Sequence, residues 1–415
     1  MWLSKKWFLY FSSFMTLFVC HHSYAQTTDQ TSNCPIKALP EYFCKKDTTC
    51  IVVPQKNNFF MVLPVLFVQP ANGLLYGAIA QYTFKGKLPR DKYSSAFIMA
   101  TYTTKKQLLV DAKSNFLLNH NSLYLWGDWR YYKFSQSNYG LGSDNVPSGK
   151  NDFTIESIAQ PMKYDYIKFY QTASLLVAPN LFLGAGIHFD GYLNIASLPT
   201  EGTTTQQNYH NTYNSQFGFN NNHYLVKSFS LNLIHDSRDN LVNPNHGCFT
   251  NLNLKSNLEF GKNAFSRLIL FSEFKYYVPL SHTNKQHVLA FWSYGQFLLK
   301  GHLPYLGLPA NGGDQDSRSG RGYTQGLFRG QNLYYFETEY RFPLSCNQLL
   351  SGTVFTNFTS TSDKARNIAV LQYIQPAFGC GLRLLIDKTT RTNVVASYGV
   401  GRHSKSFYVN TGETF

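Results

Sequence analysis

Apolar and polar residues alternate along most of this chain with a period of two, which predicts strands whose two faces meet different surroundings. The pattern is clearest between Asn332 and Phe342. There Tyr334, Phe336, Tyr340 and Phe342 share one face, and Glu337, Glu339 and Arg341 share the other. Residues 265–278 repeat it, with Leu268, Leu270, Phe274, Tyr276 and Val278 set against Arg267, Glu273 and Lys275. So do Leu252, Leu254 and Leu258 against Asn253, Lys255 and Asn257. An apolar face backed by charges fits lipid on one side and a polar lumen on the other. About sixteen such stretches follow one another, from 59–69 and 74–84 through 122–134, 164–177 and 353–358 to 393–401 and 405–415. The predicted fold is all-β: a transmembrane antiparallel β-barrel. A soluble sandwich would alternate too, but it would turn its aromatics into a shared core.

Connection lengths sharpen this picture. Long connections, roughly 135–163, 194–222 and 300–331, follow the fifth, seventh and eleventh strands, whereas 85–92 and 387–392 are short. Long loops outside and short turns inside place both termini in the periplasm. Phe415 at the end of the last strand is then expected at the membrane interface.

Composition agrees. The 415 residues include 34 Phe and 29 Tyr, and charged residues are only 14%, against about 25% in soluble domains. After the N-terminus no uncharged apolar run approaches the ~18 residues of a membrane-crossing helix. The start reads as a secretory signal over residues 1–25: Lys5 and Lys6, an apolar core from Trp7 to Val19, and Ser23-Tyr24-Ala25 before the cut. Lipidation at Cys20 is the weaker reading, because Val19 is not the small residue such sites favour. Residues 26–57 are expected to form a short periplasmic segment, and 58–415 the barrel. Cys34, Cys44 and Cys50 fall in that segment, and Cys248, Cys346 and Cys380 in the barrel. The compartment permits disulfides, with Cys44–Cys50 the simplest pair, but spacing leaves the pairing open. A net charge of +14 suggests basic surfaces facing phosphate-rich lipid headgroups or lipopolysaccharide, and nucleic acid is not expected as a partner of an exported chain.

One stretch stands apart. Ser319-Gly320-Arg321-Gly322-Tyr323 lies within the 300–331 insertion. Glycines permit sharp turns and close approach, and arginine brings a permanent charge with a rigid fork of donors. Such a loop is suited to enter a polar cavity and pin itself on a carboxylate. Other stretches accompany it: Asp236-Ser237-Arg238-Asp239-Asn240 in a turn, Tyr139-Gly140-Leu141-Gly142 in the third outer loop, and Glu339-Tyr340-Arg341-Phe342-Pro343 ending a strand. With the final 407–415 strand, their order resembles the bacterial surface-antigen family, the barrel half of BamA/TamA-type outer-membrane proteins.

The resemblance implies a sixteen-stranded barrel whose sixth outer loop enters the lumen. Arg321, with Gly322 and Tyr323, would meet inner-face acids. Glu339 matches one of them, Glu337 offers a second, and the family's acid on the following strand falls on Asn357. Gly412 would weaken the last strand, which with Phe415 forms a seam against the first. Family members that assemble or translocate proteins usually carry periplasmic POTRA domains, and residues 26–57 are too short for one, so a separate periplasmic accessory protein is expected.

Two functions fit: an assembly or transport factor for proteins or lipids, and a passive pore or structural surface antigen with a plugged lumen. An enzyme is not expected. No Gly-x-Ser-x-Gly elbow or His-Glu-x-x-His helix is present, and His235, Asp236 and Ser237 alternate faces of a strand. No cofactor or metal is expected either. Asp314 and Asp316 read as a solvated loop rather than a calcium site.

Overall fold

The computed structural model describes residues 34–42, 58–69, 73–88, 91–149, 152–198, 208–258, 266–281, 284–388, 390–413 and 415. The expected signal peptide lies outside them, as do Cys44 and Cys50. Sixteen strands pair in chain order: β1 (Asn58–Gln69), β2 (Gly73–Lys85), β3 (Tyr93–Thr103), β4 (Leu108–Leu118), β5 (Leu123–Asn138), β6 (Gln160–Ala178), β7 (Leu181–Ser197), β8 (Tyr224–Asp236), β9 (Gly247–Asn257), β10 (Leu268–Pro279), β11 (Val288–Lys300), β12 (Asn332–Pro343), β13 (Leu350–Thr361), β14 (Gln375–Asp387), β15 (Thr392–Gly401) and β16 (Ser404–Thr411). Every neighbouring pair is antiparallel. Among the described residues no helix is long and apolar enough to cross a membrane.

The two-residue period decides what each face meets. On β12, Leu333, Tyr335, Glu337, Glu339 and Arg341 are buried in the lumen. Outward-facing Tyr334 and Phe336 contact Phe358 of β13 at 6.0 and 5.7 Å. Leu225 and Leu231 of β8, Leu254 of β9, and Phe378 and Leu382 of β14 stand exposed on the outer wall. Hydrocarbon solvates such a wall, and water would not.

Some strands run longer than their alternation suggests. β5 extends to Asn138 and β6 begins at Gln160, where polar residues outside the lipid hide the period. β13 runs from Leu350 rather than from 353. Its inward Ser351, Thr353, Thr359 and Thr361 are small and polar, so contrast between the faces is weak.

Three features close or open this barrel. Among the described residues the order of paired strands begins at β1 and ends at β16 with no ladder between them, and β16 has only 8 residues. The sixth outer loop, residues 301–331, folds into the lumen from outside, burying Tyr305, Arg321, Tyr323, Leu327 and Phe328. From the periplasmic end, the turn at residues 237–246 reaches the opposite wall. Asn240 Nδ2 donates to the Thr390 carbonyl at 3.2 Å, and Arg391 pairs with Asp239 at 2.6 Å.

The leader is tied to the periplasmic rim. Cys34 is disulfide-bonded to Cys346 in the turn after β12. Lys37 N–H donates to the Asn347 carbonyl at 3.1 Å, and Glu41 pairs with Lys388 after β14 at 3.0 Å. Spacing could not have selected the Cys34 partner, because the two cysteines are 312 residues apart.

Candidate functional site: the inward loop and its two walls

The loop turns on Gly320 and Gly322, both in the left-handed region at φ +84° and +101°. Gly322 also needs the space. A Cβ there would lie 2.7 Å from Ala377 Cβ, and one on Gly401 would lie 2.4 Å from the Tyr323 ring. The glycines of β15 thus form a floor onto which the loop backbone settles.

That approach buries Arg321 against β12 and β13. Its Nε donates to Glu337 Oε2 at 3.2 Å, and its Nη2 to Glu339 Oε2 at 2.5 Å and to Glu337 Oε1. The guanidinium lies 3.5 Å from the centre of the Phe355 ring. The Tyr335 hydroxyl donates to Glu337 as well. Asn357 does not replace the missing acid. Its Nδ2 donates to the Arg321 carbonyl at 3.0 Å and to Glu337 Oε2 at 3.4 Å, so it holds the loop backbone and one of its acids without adding a charge. Tyr323 reaches the strands near the seam: its hydroxyl donates to the Pro376 carbonyl at 2.6 Å and accepts from Arg402 N–H at 2.9 Å. The Tyr408 hydroxyl of β16 donates to the Tyr323 carbonyl at 3.1 Å.

The charges continue past Arg321. Arg341 Nε donates to Glu339 Oε1 at 2.8 Å, and Arg341 Nη2 to the Phe415 carbonyl at 2.9 Å. Glu413 lies 3.8 Å from Arg341 and pairs with Arg383 at 2.6 Å. Alternating charges thus run from the loop to the last residues. This corrects the expected place of Phe415. The chain leaves β16 at Thr411, Gly412 turns with φ +77°, and Phe415 enters the lumen to stack on Trp292 at 5.3 Å. Face parity holds only while the chain stays extended, so it could not reveal this.

The other wall holds the loop by contacts that no motif announced. Arg130 of β5 donates through Nη2 to the carbonyls of Asp314 and Gln315, both at 2.8 Å, and through Nη1 to Ser317 Oγ at 3.0 Å. Asp128 fixes Arg130 at 2.8 Å and Lys168 at 2.7 Å. Trp126 Nε1 donates to Gln315 Oε1 at 3.0 Å, and Lys113 pairs with Asp316 at 3.3 Å. Asp314 is not a solvated carboxylate. It is buried and accepts from the backbone of Asp316, Arg318 and Ser319. Alternation on β5 places Arg130 inward, and that was the available signal.

Outside, the helix Tyr209–Gln216 in the fourth outer loop steadies the start of this loop, since Asn214 Oδ1 accepts from Tyr305 N–H at 2.9 Å. His210 is buried beside it. Its Nδ1 meets Asn211 Oδ1 at 2.8 Å, and its Nε2 meets Asn214 Nδ2 at 3.1 Å. Burial pushes the imidazole below its usual value, and the nearby Arg329 pushes the same way.

A family model, the Omp85 superfamily domain, matches residues 152–415, a span that contains the loop, both glutamates and β16. The chain is similar to BamA from Haemophilus ducreyi lacking POTRA domains 1–3, with a TM-score of 0.52 and 13% identity over 86% of this chain and 70% of that one. It is also similar to CdiB from Acinetobacter baumannii, with a TM-score of 0.50 and 13% identity over 85% of this chain and 59% of that one. At such identity the likeness concerns the fold. No curated protein matches.

Proposed function

Because the chain belongs to the Omp85 superfamily of outer-membrane assembly and translocation barrels, we propose that it aids the insertion or transport of proteins or lipids at the β1–β16 edge, with a separate periplasmic accessory protein delivering them. The observation that carries this reading is the unpaired edge itself. β16 is short, and its contacts with Tyr323 and Arg318 connect it to the loop that fills the lumen. In this reading Arg321, Glu337 and Glu339 hold the closed arrangement, and Gly412 allows the last residues to leave and re-enter the lumen.

The test is site-specific photo-crosslinking from Phe407, which faces outward on β16, with Phe378 on β14 as the control. Cargo captured at 407 and not at 378, and lost in Arg321→Ala with the barrel still inserted, is the expected result. The second reading, a plugged pore, draws on the polar cavities between the loop and the β5–β11 walls. It calls for the opposite outcome: no companion at either position, and ion conductance in planar bilayers that rises when Arg321 is removed.

A further inference from the structure

The excess of positive charge has a definite address. Five lysines face outward from the wall: Lys133 on β5, Lys163 on β6, Lys227 on β8, Lys300 on β11 and Lys405 on β16, all exposed. Each sits in the outer half of its strand. Pairing fixes their direction. Lys300 lies opposite Leu268, on the outward face of β10, and Lys405 lies opposite Val400. Lys133 is two residues from exposed Tyr131, Lys227 two from exposed Leu225, and Lys405 two from exposed Phe407. They therefore stand directly above the lipid-facing surface. Among the described residues none of the five is ion-paired. Asp165 lies opposite Lys133 but is oriented toward Asn194, whose Nδ2 donates to it at 2.6 Å, and forms no ion pair with the lysine.

The periplasmic ends differ. Among the described residues, no strand carries an outward-facing Lys or Arg there. Four basic residues of the periplasmic turns have acidic partners, as in Lys92–Asp236, Arg238–Asp236, Lys388–Glu41 and Arg391–Asp239, while Lys87 and Lys285 there stand outside any strand. A lysine stem lies along apolar surface while its ammonium reaches the headgroup layer. Five ammonium groups without an ion pair, all in the outer halves of their strands, draw anions to that end of the wall.

We infer that the outer end of the barrel wall is a docking collar for the phosphate groups of a phosphorylated glycolipid in the outer leaflet. Lys405 places one position of this collar on β16, at the unpaired edge. Lys133, Lys163 and Lys227 form the denser part on β5–β8.

The test uses the full-length protein in vesicles containing bisphosphorylated lipid A, dephosphorylated lipid A or phosphatidylglycerol, followed by native mass spectrometry of retained lipid. Bisphosphorylated lipid A is expected to be retained preferentially, with each lysine removed costing about fivefold. The triple variant K133Q/K163Q/K227Q should lose the preference and still migrate as a folded barrel before heating. If it does not fold, the single variants carry the test. Equal retention of the dephosphorylated lipid would overturn the collar, as would a preference that survives substitution. Equal retention of phosphatidylglycerol would overturn its assignment to a glycolipid.

Discussion

The inward loop is held by two walls that use opposite chemistry. At β12 the loop supplies the cation and the wall supplies two carboxylates, Glu337 and Glu339. At β5 the wall supplies the cation, and the loop offers backbone carbonyls and Ser317. The first contact is charged on both sides and fully buried, so removing one partner strands the other. The second presents a charge to neutral dipoles, so its loss leaves Arg130 still paired with Asp128. One wall thus acts as an anchor, and the other as a guide for the loop path.

Arg321→Ala should break the anchor. Were the site dry, the cost would be about 3–5 kcal/mol, and hydration of the lumen reduces it. Hydrogen exchange should then rise at 319–323 and also at β16, because Tyr323 and the Glu339–Arg341 pair connect them. A change confined to the loop would separate the two regions. Arg130→Ala should cost about 2–3 kcal/mol for its charge-assisted contacts to the loop, on top of the buried pair with Asp128, which keeps Lys168, with exchange rising at 313–317 while 321–323 stay protected. Loosening of both stretches would refute the division into anchor and guide. Asp316→Asn breaks a partly exposed pair with Lys113, and thermal unfolding should register about 0–1 kcal/mol.

The smallest expected effect concerns pH at the outer loops. The His210 imidazole is held below its ordinary 6.5. Above that value folded and unfolded loops are both neutral, and the contribution is complete. As pH falls below about 6.5, the unfolded loop takes up a proton that the buried ring resists, so stability declines until the folded value is reached. Exchange at 209–217 should be faster at pH 5.5 than at pH 8, and His210→Asn should flatten that difference. A slope unchanged by the substitution would assign it to another group.

These contacts differ in how far the sequence announces them. Arg321 and Glu339 could be matched in advance because both partners are side chains, and residue identity records side chains. Arg130 donates to carbonyls, which every residue has, so only its inward parity was visible. The Asp236–Asn240 stretch reads as a turn, but its reach to Thr390 and Arg391 depends on the curvature of the whole barrel. Gly412 reads as a weak point in the last strand, yet the destination of Phe415 depends on Arg341 and Trp292, which come from strands distant in sequence. The apolar period fixed the strands because lipid imposes one requirement on every outward position. Cys34 and Cys346 met only because the fold brought them together.

The free edge at β16 behaves differently from a frayed ribbon. A strand paired on both sides comes away one hydrogen bond at a time, with a small penalty at each step. Toward β1 this strand has no such series. Beyond its ladder to β15 it is held at mid-strand by Tyr408 on the Tyr323 carbonyl, at its inner end by Arg318 on the Thr411 carbonyl, and past that end by Arg341 and Arg383 on the last residues. A strand fixed by a few pins resists until one gives way, and then moves as a unit. The edge should therefore respond to load with a threshold, like a catch, and remain quiet below it.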